Sequence, residues 1–106
     1  MAMFLVIVRR SGPEWNASKP LEEQSGWDEH AAFMDRLVEE GVIVLGGPTG
    51  EGETDNALLV VDVSSEHEIR SRLADDPWSG TILTIASVRP WSVWLRAEPA
   101  PGGGAE

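Results

Sequence analysis

Residues Met3 to Val8 form an unbroken apolar run rich in β-forming side chains, which predicts a buried strand. From Arg9 to Ser25 the periodicity is lost, and Gly12, Pro13 and Pro20 mark a loop. A loop of that length is unusual in a compact domain, and such loops are commonly functional. Between Gly26 and Gly41 the apolar residues Trp27, Ala31, Met34, Leu37 and Val38 recur at helical spacing, with His30 on the same stripe. Ser25 with Asp28 three residues on resembles a capping box, and Gly41 is the expected glycine C-cap. Val42 to Leu45 reads as a second strand, GGPTGEGETDN (46–56) as turn chemistry, and Ala57 to Val63 as a third strand. Ser65 and Glu68 repeat the capping spacing ahead of a helix over Glu66 to Ala74. DDPWSG ends that helix, because the residue before a proline disfavours helical backbone. Thr81 to Trp94 carries a long fourth strand, interrupted near Pro90. The final AEPAPGGGAE offers nothing to bury, so residues 1–96 are expected to fold and 97–106 to form a flexible tail.

The predicted order, β-α-β-β-α-β, is the ferredoxin-like α+β arrangement. Alternation within its strands carries a second inference. With both helices on one side of the sheet, the other side should be polar. Met3, Leu5 and Ile7 are instead as apolar as Phe4, Val6 and Val8, and Leu58 and Val60 match Leu59, Val61 and Val63. A second copy packed sheet against sheet, a two-fold homodimer, is the expected cover.

Topology then gathers the chemistry. The first helix begins where strand one ends, and the second helix ends where strand four begins. Both points lie at one end of the sheet, which brings His30 near Asp76-Pro77-Trp78, the Gly47-Pro48 turn and the long loop with Trp15. A carboxylate beside one imidazole nitrogen fixes its tautomer and supports the imidazolium, leaving the other nitrogen to move a proton. Asp75 is an alternative partner to Asp76, and a core histidine without chemistry is an alternative reading of His30. Arg9, at the end of strand one, is a candidate contact for an anionic substrate, or a solvated strand-end charge. Trp15 and Trp27 are candidate pocket walls, while Trp78, Trp91 and Trp94 are expected at the core or an interface. His67, flanked by Glu66 and Glu68, reads as solvated, and the two histidines lack metal-ligand spacing. Gly-rich GGPTGEGE (46–53) precedes no helix and has no lysine, so it reads as a hairpin and not as a phosphate loop.

Length and charge narrow the field. A chain of 106 residues is one domain with a modest core, and its formal charge of −10 disfavours nucleic acid and anionic membranes as partners. The absence of cysteine excludes disulfides, thiol chemistry and thiolate zinc sites. In MAMFLVIVRR the arginines follow the apolar run, which is too short to span a bilayer, so a cytoplasmic location is expected.

The segments WDEHAAFMDRLVEEGVIVLGGP, ALLVVDV, ADDPWSG and ASVRPW, taken in that order, resemble the YCII-related (YciI-like) proteins of the dimeric α+β barrel superfamily. The resemblance runs from Met3 to about Leu95. It rests on a helix-one histidine (His30), a glycine ending that helix (Gly41), a Gly-Pro turn (Gly47-Pro48) and Asp-Pro-aromatic (Asp76-Pro77-Trp78). It implies a His30–Asp76 active site with no metal and no cofactor. The leading expectation, joined to the residue reading, is a small homodimeric enzyme acting on a small cyclic or aromatic metabolite by isomerisation, elimination or hydrolysis, with Arg9, Trp15, Trp27, Gly47, Pro48 and Trp78 as candidate substrate contacts. A non-catalytic small-molecule-binding or interaction module is the alternative, and a heme or monooxygenase barrel ranks below both. The Arg9–Gly26 loop is longer than in short family members and is expected to act as a lid.

Overall fold

A computed structural model describes residues 2–50 and 56–97. The expected 97–106 tail falls, apart from Ala97, outside the described residues, as do positions 51–55 of the hairpin turn. The chain forms strand β1 (Ala2–Arg10), helix α1 (Trp27–Glu39), strands β2 (Ile43–Pro48) and β3 (Asn56–Val63), helix α2 (Glu66–Leu73) and strand β4 (Leu83–Trp91). The sheet is antiparallel in the order β2-β3-β1-β4. This is the ferredoxin-like α+β fold expected from the sequence.

The core lies between the helices and one sheet face. Phe4, Val6 and Val8 of β1 lie opposite Val61, Leu59 and Ala57 of β3, and Phe33, Leu37, Ile69 and Leu73 of the helices close over them. The buried face of α1 carries His30, Phe33 and Leu37, with Met34 packed beside them. Val38, expected on that stripe, is more than half exposed, because the 30–33–34–37 row faces the sheet and turns Val38 to its rim.

Helix ends show which sequence signals operate. At α2 the Ser65 hydroxyl accepts the Glu68 N–H at 3.2 Å, as the capping spacing predicts. At α1 the expected Ser25 cap does not form. Gly26 is the N-cap in left-handed backbone (φ 80°), and no side chain caps the helix. The Ser25 carbonyl is turned toward Trp78 instead. Gly41 (φ 79°) ends α1 in a Schellman pattern, with Gly41 N–H donating to Val38 and Val42 N–H to Leu37.

Pro90 is accommodated because β4 is an edge strand. The opposite sheet face carries Met3, Leu5, Ile7, Leu58 and Val60, in register across β1 and β3. Leu45 and Trp91 add apolar surface on the flanking strands, the former 67% exposed. Trp94, expected at the core or an interface, is exposed within the chain.

Candidate active site

His30 sits one turn into α1, and Asp76 lies just past α2 in the DDPWSG turn. They meet 46 positions apart in sequence, with His30 Nδ1 2.9 Å from both Asp76 carboxylate oxygens. Both side chains are buried. A carboxylate on Nδ1 selects the tautomer with the proton on that nitrogen and leaves the lone pair on Nε2. Among the described residues Nε2 has no hydrogen-bond partner.

The turn fixes Asp76 from behind. Its Oδ1 also accepts the Trp78 N–H at 2.9 Å, an Asx turn, and its carbonyl accepts the Ser79 N–H. Pro77 presets the backbone between them. Trp78 then folds over the imidazole, ring on ring, with centroids 4.1 Å apart and planes 6° apart. Its indole N–H donates to the Ser25 carbonyl at 2.7 Å, tying the turn to the start of α1. Gly26 permits this approach, since a Cβ there would stand 3.2 Å from Trp78 Nε1. Asp75, the alternative partner, is exposed near Arg72 and does not reach His30.

His30 borders a cavity of about 340 Å³, together with Trp27, Trp78, Met34, Gly47 and Pro48. Trp27 packs against both rings, 5.7 Å from Trp78 and 6.0 Å from His30. A second hollow of about 290 Å³ borders Asp76 and shares Val8, Met34, Leu59 and Leu83 as wall residues with the first.

Two expected substrate contacts lie elsewhere. Arg9 projects from the sheet face opposite Val8 and donates to Asn56 Oδ1 at 3.1 Å, away from the cavity wall. Trp15 does not border the cavity either. Its ring lies beneath the Arg10 guanidinium, 5.5 Å from the centroid. Arg10 is the arginine that borders the cavity, and strand alternation carries the signal, because Val6, Val8 and Arg10 share a face.

The long loop is ordered by contacts no sequence pattern announces. Gln24 is buried, donating from Nε2 to the Asn16 and Lys19 carbonyls and accepting the Asn16 N–H at Oε1. Gly12 and Glu14 donate to the Ile82 and Thr81 carbonyls. Gly12 lies so close to that backbone that a Cβ would stand 2.3 Å from the Thr81 oxygen. Leu21, in a short 3-10 turn (Leu21–Glu23), reaches the cavity wall.

No cluster of three or more histidine, aspartate or glutamate side chains suited to a metal ion occurs among the described residues. No helix there is long and apolar enough to cross a membrane.

The fold is a four-stranded antiparallel sheet with two helices in the ferredoxin-like order. Among solved structures it is similar to 5-chloro-2-hydroxyhydroquinone dehydrochlorinase (TftG) from Burkholderia phenoliruptrix in complex with 2,5-dihydroxybenzoquinone. The two share 24% identity over 90% of this chain and 95% of that one, with a TM-score of 0.50. No protein-family model matches the chain, and no curated protein matches it in sequence.

Proposed function

We propose that the chain is a small homodimeric enzyme of the YCII-related kind, in which His30 and Asp76 form an acid–base pair acting on a small cyclic or aromatic metabolite. The observation that carries this reading is His30 Nδ1 held 2.9 Å from both Asp76 oxygens, at the wall of a tryptophan-lined cavity. Nε2 takes a proton from a bound ring, the carboxylate stabilises the imidazolium, and the same nitrogen returns the proton to a second atom or to a leaving group. The pair needs no nucleophile, and isomerisation and elimination both fit this proton traffic. The similar fold of a dehydrochlorinase, acting on a small hydroxylated ring, lends support. Trp27 and Trp78 are the walls that hold the ring, Gly47 and Pro48 also line the cavity, and Leu21 of the Gln24-pinned loop borders it.

The second protomer is placed against the apolar sheet face. Leu45 is strongly exposed there, and Asp62, in register with Met3 on that face, has a buried oxygen without a hydrogen-bond partner. A donor from a facing sheet relieves that unpaired oxygen.

The test is a thermal-shift screen of small hydroxylated and halogenated rings and lactones, followed by turnover assays on the compounds that bind. Wild-type protein is expected to turn over at least one of them. His30→Gln is expected to lower kcat by about 10²-fold or more while keeping the melting temperature and ligand binding. Unchanged turnover in His30→Gln overturns the acid–base role, and binding without turnover in wild type points to a ligand-binding module.

A further inference from the structure

We propose that Arg10 is the anion anchor of the His30 cavity, and that the ligand is a planar ring bearing one negative charge, either a carboxylate or a ring oxyanion. This rests on the cavity being the substrate site. Arg10 is placed there by strand alternation: with Val6 and Val8 it lies on the helix side of β1, while Arg9 turns to the other side. Among the described residues it is the one lysine or arginine bordering this cavity.

Its guanidinium lies over the Trp15 ring, which restricts its orientation. Arg10 has contacts of its own within the chain. A guanidinium carries five N–H donors in a planar fork, so protein and ligand acceptors are held together, and a carboxylate is met by two of them at once.

Charge decides between ligand classes. With a formal charge of −10 the chain repels anions at long range, so an anionic ligand is retained only beside a local cation. Asp35 also borders the cavity, as an exposed carboxylate, and opposes a second negative group on the ligand. Among the described residues the Arg10 guanidinium thus stands against the Asp35 carboxylate, with Asp76 behind His30, a balance that disfavours a dianion relative to a monoanion. The cavity, about 340 Å³, lies near the lower end of the range of about 300–1,000 Å³ for small-molecule sites, which suits a single ring. A cationic anchor at one wall and an imidazole at another fix a ring in position and rotation, as proton transfer at one chosen atom requires.

The test is calorimetric titration of the full chain with benzoate, with 4-nitrophenolate above its pKa, with neutral benzamide and with phthalate dianion. Wild type is expected to bind at least one monoanion about tenfold or more tighter than benzamide, and phthalate more weakly than benzoate. Arg10→Met is expected to lower monoanion affinity about tenfold or more and to leave benzamide affinity little changed, with Arg10→Lys between the two. If Arg10→Met fails to fold, Arg10→Gln carries the same expectation. An effect on benzoate identifies a carboxylate ligand, and an effect on 4-nitrophenolate alone identifies a ring oxyanion. No monoanion preference up to about 20 mM, or a preference that survives loss of Arg10, overturns the proposal. Arg10-dependent binding together with full turnover in His30→Gln removes the acid–base reading alone. Lost turnover in His30→Gln with binding indifferent to Arg10 removes this proposal alone.

Discussion

The imidazole of His30 lies parallel to the indole of Trp78, 4.1 Å between centroids, and one carboxylate holds both. Asp76 Oδ1 accepts from His30 Nδ1 and from the backbone N–H of Trp78, each at 2.9 Å. Stacking and hydrogen bonding thus act on one ring through one short turn. The orientation of His30 is set by residues 76–78 rather than by its own helix.

Asp76→Asn separates charge from geometry. The amide oxygen still accepts the Trp78 N–H, but an NH2 donor replaces the second oxygen 2.9 Å from Nδ1, so the Nδ1–H tautomer is disfavoured and the support for an imidazolium is lost. The expected result is a fall in kcat of about 10²- to 10⁴-fold with KM and melting temperature nearly unchanged. Asp76→Ala additionally leaves a buried N–H unpaired and is expected to cost about 1–3 kcal/mol in chemical denaturation. Equal kcat in wild type and Asp76→Asn would remove the carboxylate from the proposed chemistry.

Gly26→Ala and Gly41→Ala share a backbone cost, since φ is 80° and 79°, but differ in surroundings. Nothing lies within 4 Å of a Cβ at Gly41, so that variant is expected to lose only the left-handed penalty, about 1–2 kcal/mol. At Gly26 the new methyl meets Trp78 Nε1 at 3.2 Å, so the loss is expected to be larger and accompanied by a change in near-ultraviolet circular dichroism. Equal losses would show that Trp78 gives way freely.

The element order, the glycine turn that ends α1 at Gly41 and the approach of His30 to the Asp-Pro-Trp turn are legible from spacing and topology. Periodicity and breaker residues encode these directly. The choice between Arg9 and Arg10 depends on strand phase, and a buried Val6 and Val8 decide it for Arg10 only once the helix face is known. Ser25 does not cap α1 despite its spacing to Asp28, because its neighbour Gly26 adopts left-handed backbone and the Ser25 carbonyl accepts from Trp78, a tertiary contact. Gln24 was illegible, since a buried glutamine in a polar loop differs from a solvated one only through its distant partners.

Gln24→Glu tests whether that glutamine orders the loop. The substitution sets a carboxylate oxygen against the Asn16 and Lys19 carbonyls, now 2.7 and 3.1 Å from an amide donor. A loss of about 1–3 kcal/mol is expected, with faster amide hydrogen exchange at Asn16, whose N–H bonds Gln24 Oε1. Unaltered exchange there would show the loop to be held by its other contacts.

The cap of α2 gives a pH signature. Glu68 is held below its ordinary carboxylate pKa, chiefly by the Ser64 hydroxyl, then by the Ser64 N–H, with Arg72 adding attraction. A pKa lower in the folded state than in the unfolded one stabilises above the unfolded value. That stabilisation is lost as pH falls through the folded value. Ser64→Ala is therefore expected to lower stability at neutral pH, with the gap to wild type closing as the medium becomes acidic through the carboxylate range. A gap that stays constant with pH would assign the effect of Ser64 to something other than Glu68.

The apolar sheet face makes the last prediction. Met3, Leu5 and Ile7 lie beside Leu58 and Val60 on the side away from the helices, and Leu45 on the edge strand is 67% exposed. A face this apolar is unfavourable in water, and a second sheet removes it by burying about 800 Å² on each protomer in a standard interface. Sedimentation is expected to give twice the chain mass for wild type. Leu45→Glu with Leu58→Glu is expected to give the monomer mass, because two carboxylates cannot be buried against a facing sheet without partners. Leu45 is largely solvated within the protomer, so its replacement leaves the core between helices and sheet intact, and circular dichroism is expected to be preserved. A monomeric wild type would leave Asp62 Oδ1 and this face without a partner chain and would remove the homodimer from the proposed function.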